Sequence, residues 1–236
     1  MRTIKTLAIV VLSTVLFSSC VMKSNTSNHK TQVKNIDHET TMSSFDAISV
    51  AGSMNVELIQ GDKYSVVVKG ADSNTFDKLI IYVEDNTLNI ETKKELLGLI
   101  DGSYVMGVKV YVTTPEIKKI SHAGAGTLVA NKPIDAEQLS LSIAGSGDVA
   151  FNDQLSCAGL NVDIAGTSDV TFKHLKAGKL RTSIAGTGSA VYKDMDVDNA
   201  ISSMAGTGKI VLQGKVAKHS ESMVGTGSID TSGIKP

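Results

Sequence analysis

The chain has 236 residues, a formal charge of −1, two cysteines, no tryptophan and only 4% aromatic residues. A near-neutral balance with no basic stripe excludes the electrostatic footprint of a nucleic-acid binder, so no nucleic-acid partner is expected. If one of the two cysteines, Cys20, carries a lipid as argued next, no internal disulfide is expected.

Residues 1–19 read as a signal peptide outside the fold. Arg2 and Lys5 form a short positive region and Leu7–Phe17 an apolar core of secretory length, too short to span a bilayer comfortably. The leader ends in Leu16-Phe17-Ser18-Ser19-Cys20, which resembles a bacterial lipoprotein lipobox, although Phe17 stands where leucine is more usual. That resemblance implies cleavage before Cys20 and lipidation there. Burial of lipid methylenes, about 0.8 kcal/mol each, then makes the membrane the first partner. The alternative is an ordinary secretory signal that happens to contain a cysteine. Residues 20–44 carry Ser24, Asn25, Ser27, Asn28 and Lys30 without an apolar period and read as a lipidated flexible tether.

The domain is expected over 45–236, with an irregular part over 45–116. Ile48, Val50, Val56 and Leu58 alternate with smaller or polar residues around Gly52-Ser53. Tyr64–Lys69 is β-branched. Leu79–Val83 and Thr87–Thr92 flank Asp85-Asn86 and predict a hairpin. The stretch 93–104 contains Gly98 and Gly102 and reads as a loop. Val108, Val110 and Val112 alternate again up to Pro115.

Over 117–231 a repeat takes over. Ser142-Ile143-Ala144-Gly145-Ser146-Gly147 returns with first glycines at 124, 145, 166, 186, 206 and 225, spaced 21, 21, 20, 20 and 19 residues apart. His122, Ile143, Ile164, Ile184, Met204 and Met223 stand two places before these glycines. Ile120, Leu141, Val162, Thr182, Ser202 and Glu221 stand four before. Val149, Val170 and Ala190 follow by four, and Phe151, Phe172 and Tyr192 by six. Period-2 alternation inside a period near 20 predicts two or three short strands per repeat. One repeat cannot bury its apolar face, whereas stacked repeats can. The expected fold is all-β: a right-handed parallel β-helix-like solenoid of about 20 residues per coil. Glu221, His219 and Thr231 replace apolar residues in the last copies, as a solenoid terminus requires.

Phe45-Asp46-Ala47-Ile48-Ser49-Val50-Ala51-Gly52, Val56–Gly61, Val110-Tyr111-Val112-Thr113-Thr114-Pro115 and the Gly-x-Gly repeats together resemble the bacterial head GIN domain family of auto-transporter adhesins, formerly a domain of unknown function. The resemblance covers roughly 45–229. It implies a β-helix-like domain, often on a lipoprotein of Bacteroidetes-type bacteria, and brings no catalytic residues. Met54 and Ser168 depart from the pattern.

The candidate chemistry is sparse. Gly145-Ser146-Gly147-Asp148 hints at a calcium-binding β-roll, but such rolls have nine-residue periods, and the Asp148 column continues as Asp169, Ser189, Lys209 and Ser228. Gly-x-Gly as a phosphate cradle needs a following helix, and strands follow here. The five histidines show no metal spacing, and His122 reads as a capping or partly satisfied core residue. Cys157 reads as a small buried hydrophobe. No cofactor, metal site or catalytic residue is assigned.

The candidate ligand-facing feature is the column Ser146, Thr167, Thr187, Thr207 and Thr226, a hydroxyl array suited to a repetitive ligand such as a glycan, or to an envelope or surface protein. The expected role is non-enzymatic: adhesion, binding or structural work by an outer-membrane lipoprotein of the cell envelope. The absence of acidic residues in Val21–Lys30 points toward the periplasmic side. The alternative is a polysaccharide-active enzyme, a pectinase-like hydrolase or lyase, which would place converging acidic residues on one outer face. Asp148 and Asp169 are the pair to examine.

Overall fold

The computed structural model describes residues 37–71, 73–92 and 107–235. The expected signal peptide, Cys20, most of the tether and the loop over 93–104 lie outside these residues. Fifteen strands and one helical turn follow in order: β1 (Thr40–Thr41), β2 (Ala47–Gly52), β3 (Asn55–Gln60), β4 (Ser65–Lys69), α1 (Ser73–Phe76), β5 (Leu79–Glu84), β6 (Thr87–Thr92), β7 (Lys109–Thr114), β8 (Lys119–Gly124), β9 (Thr127–Ala130), β10 (Ile134–Gly145), β11 (Asp148–Gly166), β12 (Asp169–Gly186), β13 (Ser189–Gly206), β14 (Lys209–Gly225) and β15 (Ser228–Lys235). The molecule is the expected all-β solenoid. Each regular coil runs up a first face, turns at the Gly-x-Gly corner, continues on a second face and bends onto a third.

The repeat columns become in-register ladders. Gly52, Gly124, Gly145, Gly166, Gly186, Gly206 and Gly225 pair in one stack. The stretch around Gly52-Ser53, ahead of the regular repeats, is therefore a true layer of the solenoid. Inward, Val50, His122, Ile143, Ile164, Ile184 and Met204 form one ladder. All six are 3% exposed or less. The column six places after the glycines is an aromatic ladder: Phe151 stacks on Phe172 at 4.9 Å between ring centroids, and Phe172 on Tyr192 at 5.1 Å, with interplanar angles of 13° and 1°. Each such contact contributes about 0.5–1.5 kcal/mol beyond burial. Tyr192 also needs a partner for its buried hydroxyl, and Thr182 Oγ1 supplies it at 2.7 Å. This explains why the column turns from apolar Ile120, Leu141 and Val162 to a hydroxyl at Thr182.

The drift in repeat length has a structural location. Between Phe151 and Gln154 of β11 the register shifts against Phe172 and His174 of β12. It shifts again between Tyr192 and Met195 of β13 against Leu212 and Gly214 of β14. Both shifts lie at the bend between the second and third faces. The spacing thus falls from 21 to 20 to 19 without moving any inward ladder, because a one-residue slip within a strand would turn its core side chains outward.

The N-terminal part is wound out of sequence order. β2 lies between β6 and β8, and β3 between β7 and β9, all parallel. The first layer in sequence is therefore second in space, with β6 and β7 beneath it. Two antiparallel strands then close this end: β5 on β6, and β4 on β7, with β1 on β4. The expected hairpin is β5–β6, and its turn residues Asp85 and Asn86 both have positive φ, at 50° and 57°, as a two-residue hairpin turn demands. Thr40, Thr41 and the buried Met42 bring packed structure a few residues ahead of Phe45.

Candidate functional site: the corner ladder and the third-face groove

Every Gly-x-Gly corner is made by two different steric demands. The first glycines have φ between 121° and 142°, a region that side chains rarely adopt. The second glycines lie over the inward residue of the coil below. A Cβ on Gly147 would strike the His122 ring, one on Gly208 would strike the Gly188 carbonyl and press Ile184 Cγ2 at 3.3 Å, and one on Gly227 would strike the Met204 sulfur. Ser168 departs from the pattern at no cost to the stack: it is buried and donates its hydroxyl to Gly145 O at 3.2 Å.

The residue between the two glycines has its backbone fixed. Ser146 N–H donates to Gly124 O at 3.0 Å, Thr167 to Gly145 at 2.9 Å, Thr187 to Gly166 at 2.9 Å, Thr207 to Gly186 at 3.0 Å and Thr226 to Gly206 at 3.1 Å. All five side chains are exposed. None of their hydroxyls is hydrogen-bonded within the described residues. The structure therefore brings the whole column together as one straight row at the strand pitch of ~4.8 Å.

The neighbouring column is structural. Asp148 and Asp169 stack in adjacent coils as the spacing implied, but Asp148 Oδ1 accepts the Asp169 N–H at 3.2 Å, and Asp169 Oδ1 accepts the Ser189 hydroxyl at 2.6 Å. Thr127 Oγ1 similarly donates to Asn55 Oδ1 at 2.7 Å. These groups staple coil to coil. Among the described residues no three His, Cys, Asp or Glu side chains converge where a metal could sit.

Sequence reasoning missed a second feature, an open groove of about 870 Å³ across the third face. Its floor is Ser156, Cys157, Ala158 and Gly178. Glu116, Asp135 and Glu137 flank one end and Asp196 and Asp198 the other, with Lys176 between. The signal was present as small residues at 156–158 and 178 between acidic ones, but the column becomes visible only once register is known. Asp135 pairs through Ser156 and Lys176 to Asp196. That is three strand steps, ~14 Å, wider than the ~5–9.5 Å that separates the carboxylates of most glycosidases. Cys157 is only half-buried, and burial pushes its thiol up to about 11. It is therefore a thiol and a poor nucleophile at neutral pH.

His122 is buried, and among the described residues neither Nδ1 nor Nε2 has a hydrogen-bond partner. It is neither capping nor partly satisfied, and sequence could not reveal this because its column is otherwise apolar. Burial lowers its pKa, opposed in part by the charge of Asp148.

No curated protein matches the chain. Solved structures share the fold. A "Putative lipid binding protein" from Parabacteroides distasonis ATCC 8503 is 24% identical with a TM-score of 0.64. A "putative adhesin" from Parabacteroides merdae ATCC 43184 is 16% identical with a TM-score of 0.65. Another from Bacteroides fragilis NCTC 9343 is 21% identical with a TM-score of 0.62. Each alignment covers 82% of this chain and 94% of the other. The family model described as "Putative auto-transporter adhesin, head GIN domain" matches residues 44–173 and 160–235. With the glycine corners, the register and this match together, the chain belongs to the head GIN domain family.

Proposed function

We propose that this chain is a non-enzymatic adhesion module of the cell envelope, held by a lipid on Cys20, that binds a repetitive surface such as a glycan through the hydroxyl row Ser146, Thr167, Thr187, Thr207 and Thr226. The observation that carries the proposal is that all five hydroxyls are exposed and unbonded on a backbone the corner hydrogen bonds hold rigid. A pre-ordered row loses little entropy when it binds. The family description as an adhesin supports the same role.

The alternative, a polysaccharide-active enzyme, draws on the acidic groove of the third face. The separation of its two acidic ends weighs against it, as does the stapling role of Asp148 and Asp169. A polysaccharide digestion screen separates the two readings: the adhesion reading expects no shortened products, and any turnover that Asp135→Asn or Asp196→Asn abolishes overturns it. For the anchor, Cys20→Ala should move the protein out of the membrane fraction; unchanged fractionation would contradict lipidation at Cys20.

A further inference from the structure

Charge is sparse on the first face. In the stretches 119–125, 138–146, 159–167, 179–187 and 199–207 the Asp, Glu, Lys and Arg residues are Lys119, Asp163, Lys179 and Arg181 alone. Lys119 lines a pocket of about 290 Å³ together with Glu84 and Asp85. Lys179 and Arg181 have no such neighbours. Both are exposed and stand two residues apart on β12, ~7 Å along the strand. The register sets Gly159 and Asn161 beside them on β11, and Asn199 and Ile201 on β13. The Gln138 amide lies over Gly159, where a Cβ would strike it. Arg181 is the one arginine outside the leader. Among the described residues neither cation makes a side-chain hydrogen bond or ion pair, whereas Lys63, Lys109 and Lys118 each meet a carboxylate. Asp163, one column nearer the corner, has its pKa raised by partial burial, and the Arg181 charge opposes that without a salt bridge. Two unopposed cations flanked by amides make a seat for an anion. The guanidinium fork takes a carboxylate through two parallel N–H donors, and the ammonium adds a point charge.

Resting on the glycan-binding role proposed above, we infer that Lys179 and Arg181 hold the carboxylate of an acidic sugar, so that the ligand is a uronate-bearing polysaccharide laid along the coil. From Arg181 the chain runs through Ser183 and Ala185 to Thr187, six residues and ~20 Å on. Small side chains in between leave a low floor, on which a few sugars reach from the charged seat to the hydroxyl row. The seat selects by charge and the row by hydroxyl spacing. A lipid surface fits less well, because the exposed large apolar side chains, Met223 and Val224, lie on another coil.

Polygalacturonate and its fully methyl-esterified form share a backbone and differ in charge. At low salt the full chain should bind the acid about tenfold more tightly than the ester, and high salt should erase the difference. Arg181→Ala should weaken binding of the acid about tenfold and leave the ester unchanged. Arg181→Lys should recover only part, since it keeps the charge without the fork. Asp163→Asn should strengthen binding of the acid by removing the opposing charge. Equal binding of acid and ester, with both lost in Thr167→Ala/Thr187→Ala, would overturn the carboxylate seat while the hydroxyl row stands. Failure to bind the acid would also overturn the seat alone, and a glycan array that retains no sugar at all would overturn the row with it. Arg181-dependent retention on phosphatidylglycerol vesicles in place of polygalacturonate would assign the cations to a membrane and overturn the seat too.

Discussion

The side-chain amide of Gln60 pairs with both backbone groups of Asp135, 75 positions later: Nε2 donates to Asp135 O at 2.8 Å, and Oε1 accepts the Asp135 N–H at 2.7 Å. The same Nε2 donates to Pro115 O at 2.9 Å. β3 ends at Gln60 without continuing onto the third face, so among the described residues the first strand there, beginning at Ile134, has no strand below it. The amide imitates a peptide group and closes that edge.

Gln60→Leu should therefore lower stability by about 1–2 kcal/mol, since a net hydrogen bond contributes ~0.5–1.5 kcal/mol and the site is partly solvated. Gln60→Glu should do no better, because it keeps an acceptor for the Asp135 N–H but loses the donor to two carbonyls. Urea midpoints at constant slope would measure both. Midpoints matching the parent would show that the bonds contribute nothing.

Gly186→Ala and Thr187→Ala test the division of labour at a corner. Gly186 has φ 132°, and its Cβ would collide with Gly166 O, so a loss of 1–3 kcal/mol or more is expected. Thr187→Ala removes only an exposed, unbonded hydroxyl and should melt like the parent. Ile164→Asp, in a ladder position 2% exposed, should unfold the domain outright by burying an unpaired charge. A native-like melt would mean the inward ladder is misassigned.

His122 predicts a pH dependence. Its pKa in the fold lies below the ordinary 6.5, so the unfolded chain binds the proton more readily. Stability is then full above pH 6.5, falls as the pH drops toward the folded pKa, and levels off once both states are protonated. His122→Ile copies the Ile164–Gly188 packing two corners further on, and should be more stable and lack this component. Equal pH profiles for parent and variant would refute it.

Tyr192→Phe should cost about 1–3 kcal/mol by leaving the Thr182 hydroxyl buried without a partner, and Thr182→Val in the same chain should recover part of it. Chemical denaturation of the single and double variants measures the coupling directly.

The regular coils were legible in the sequence because inward position, glycine corner and outward hydroxyl each recur at fixed offsets, and parallel stacking turns offset into contact. The β5–β6 hairpin was legible from Asp85-Asn86. The winding of 47–114 was not: nothing local states that β6 and β7 stack beneath β2 and β3, because that order rests on pairings between strands far apart in the chain, such as Ala47 with Thr87 and with Lys119. The groove escaped for a related reason. Asp135 and Asp196 lie 61 residues apart, and only the register of four strands places them on one face. His122 shows the converse limit, since column and burial could be read but the absence of any partner could not.

Glycan-array binding by the parent and by the double variant Thr167→Ala/Thr187→Ala, compared at equal thermal stability, tests the adhesion reading most directly. The account predicts that the parent retains a repetitive glycan and that the variant loses about 5- to 150-fold in affinity, since two side-chain hydrogen bonds together contribute about 1–3 kcal/mol. Retention by the variant at the parent's affinity would contradict it.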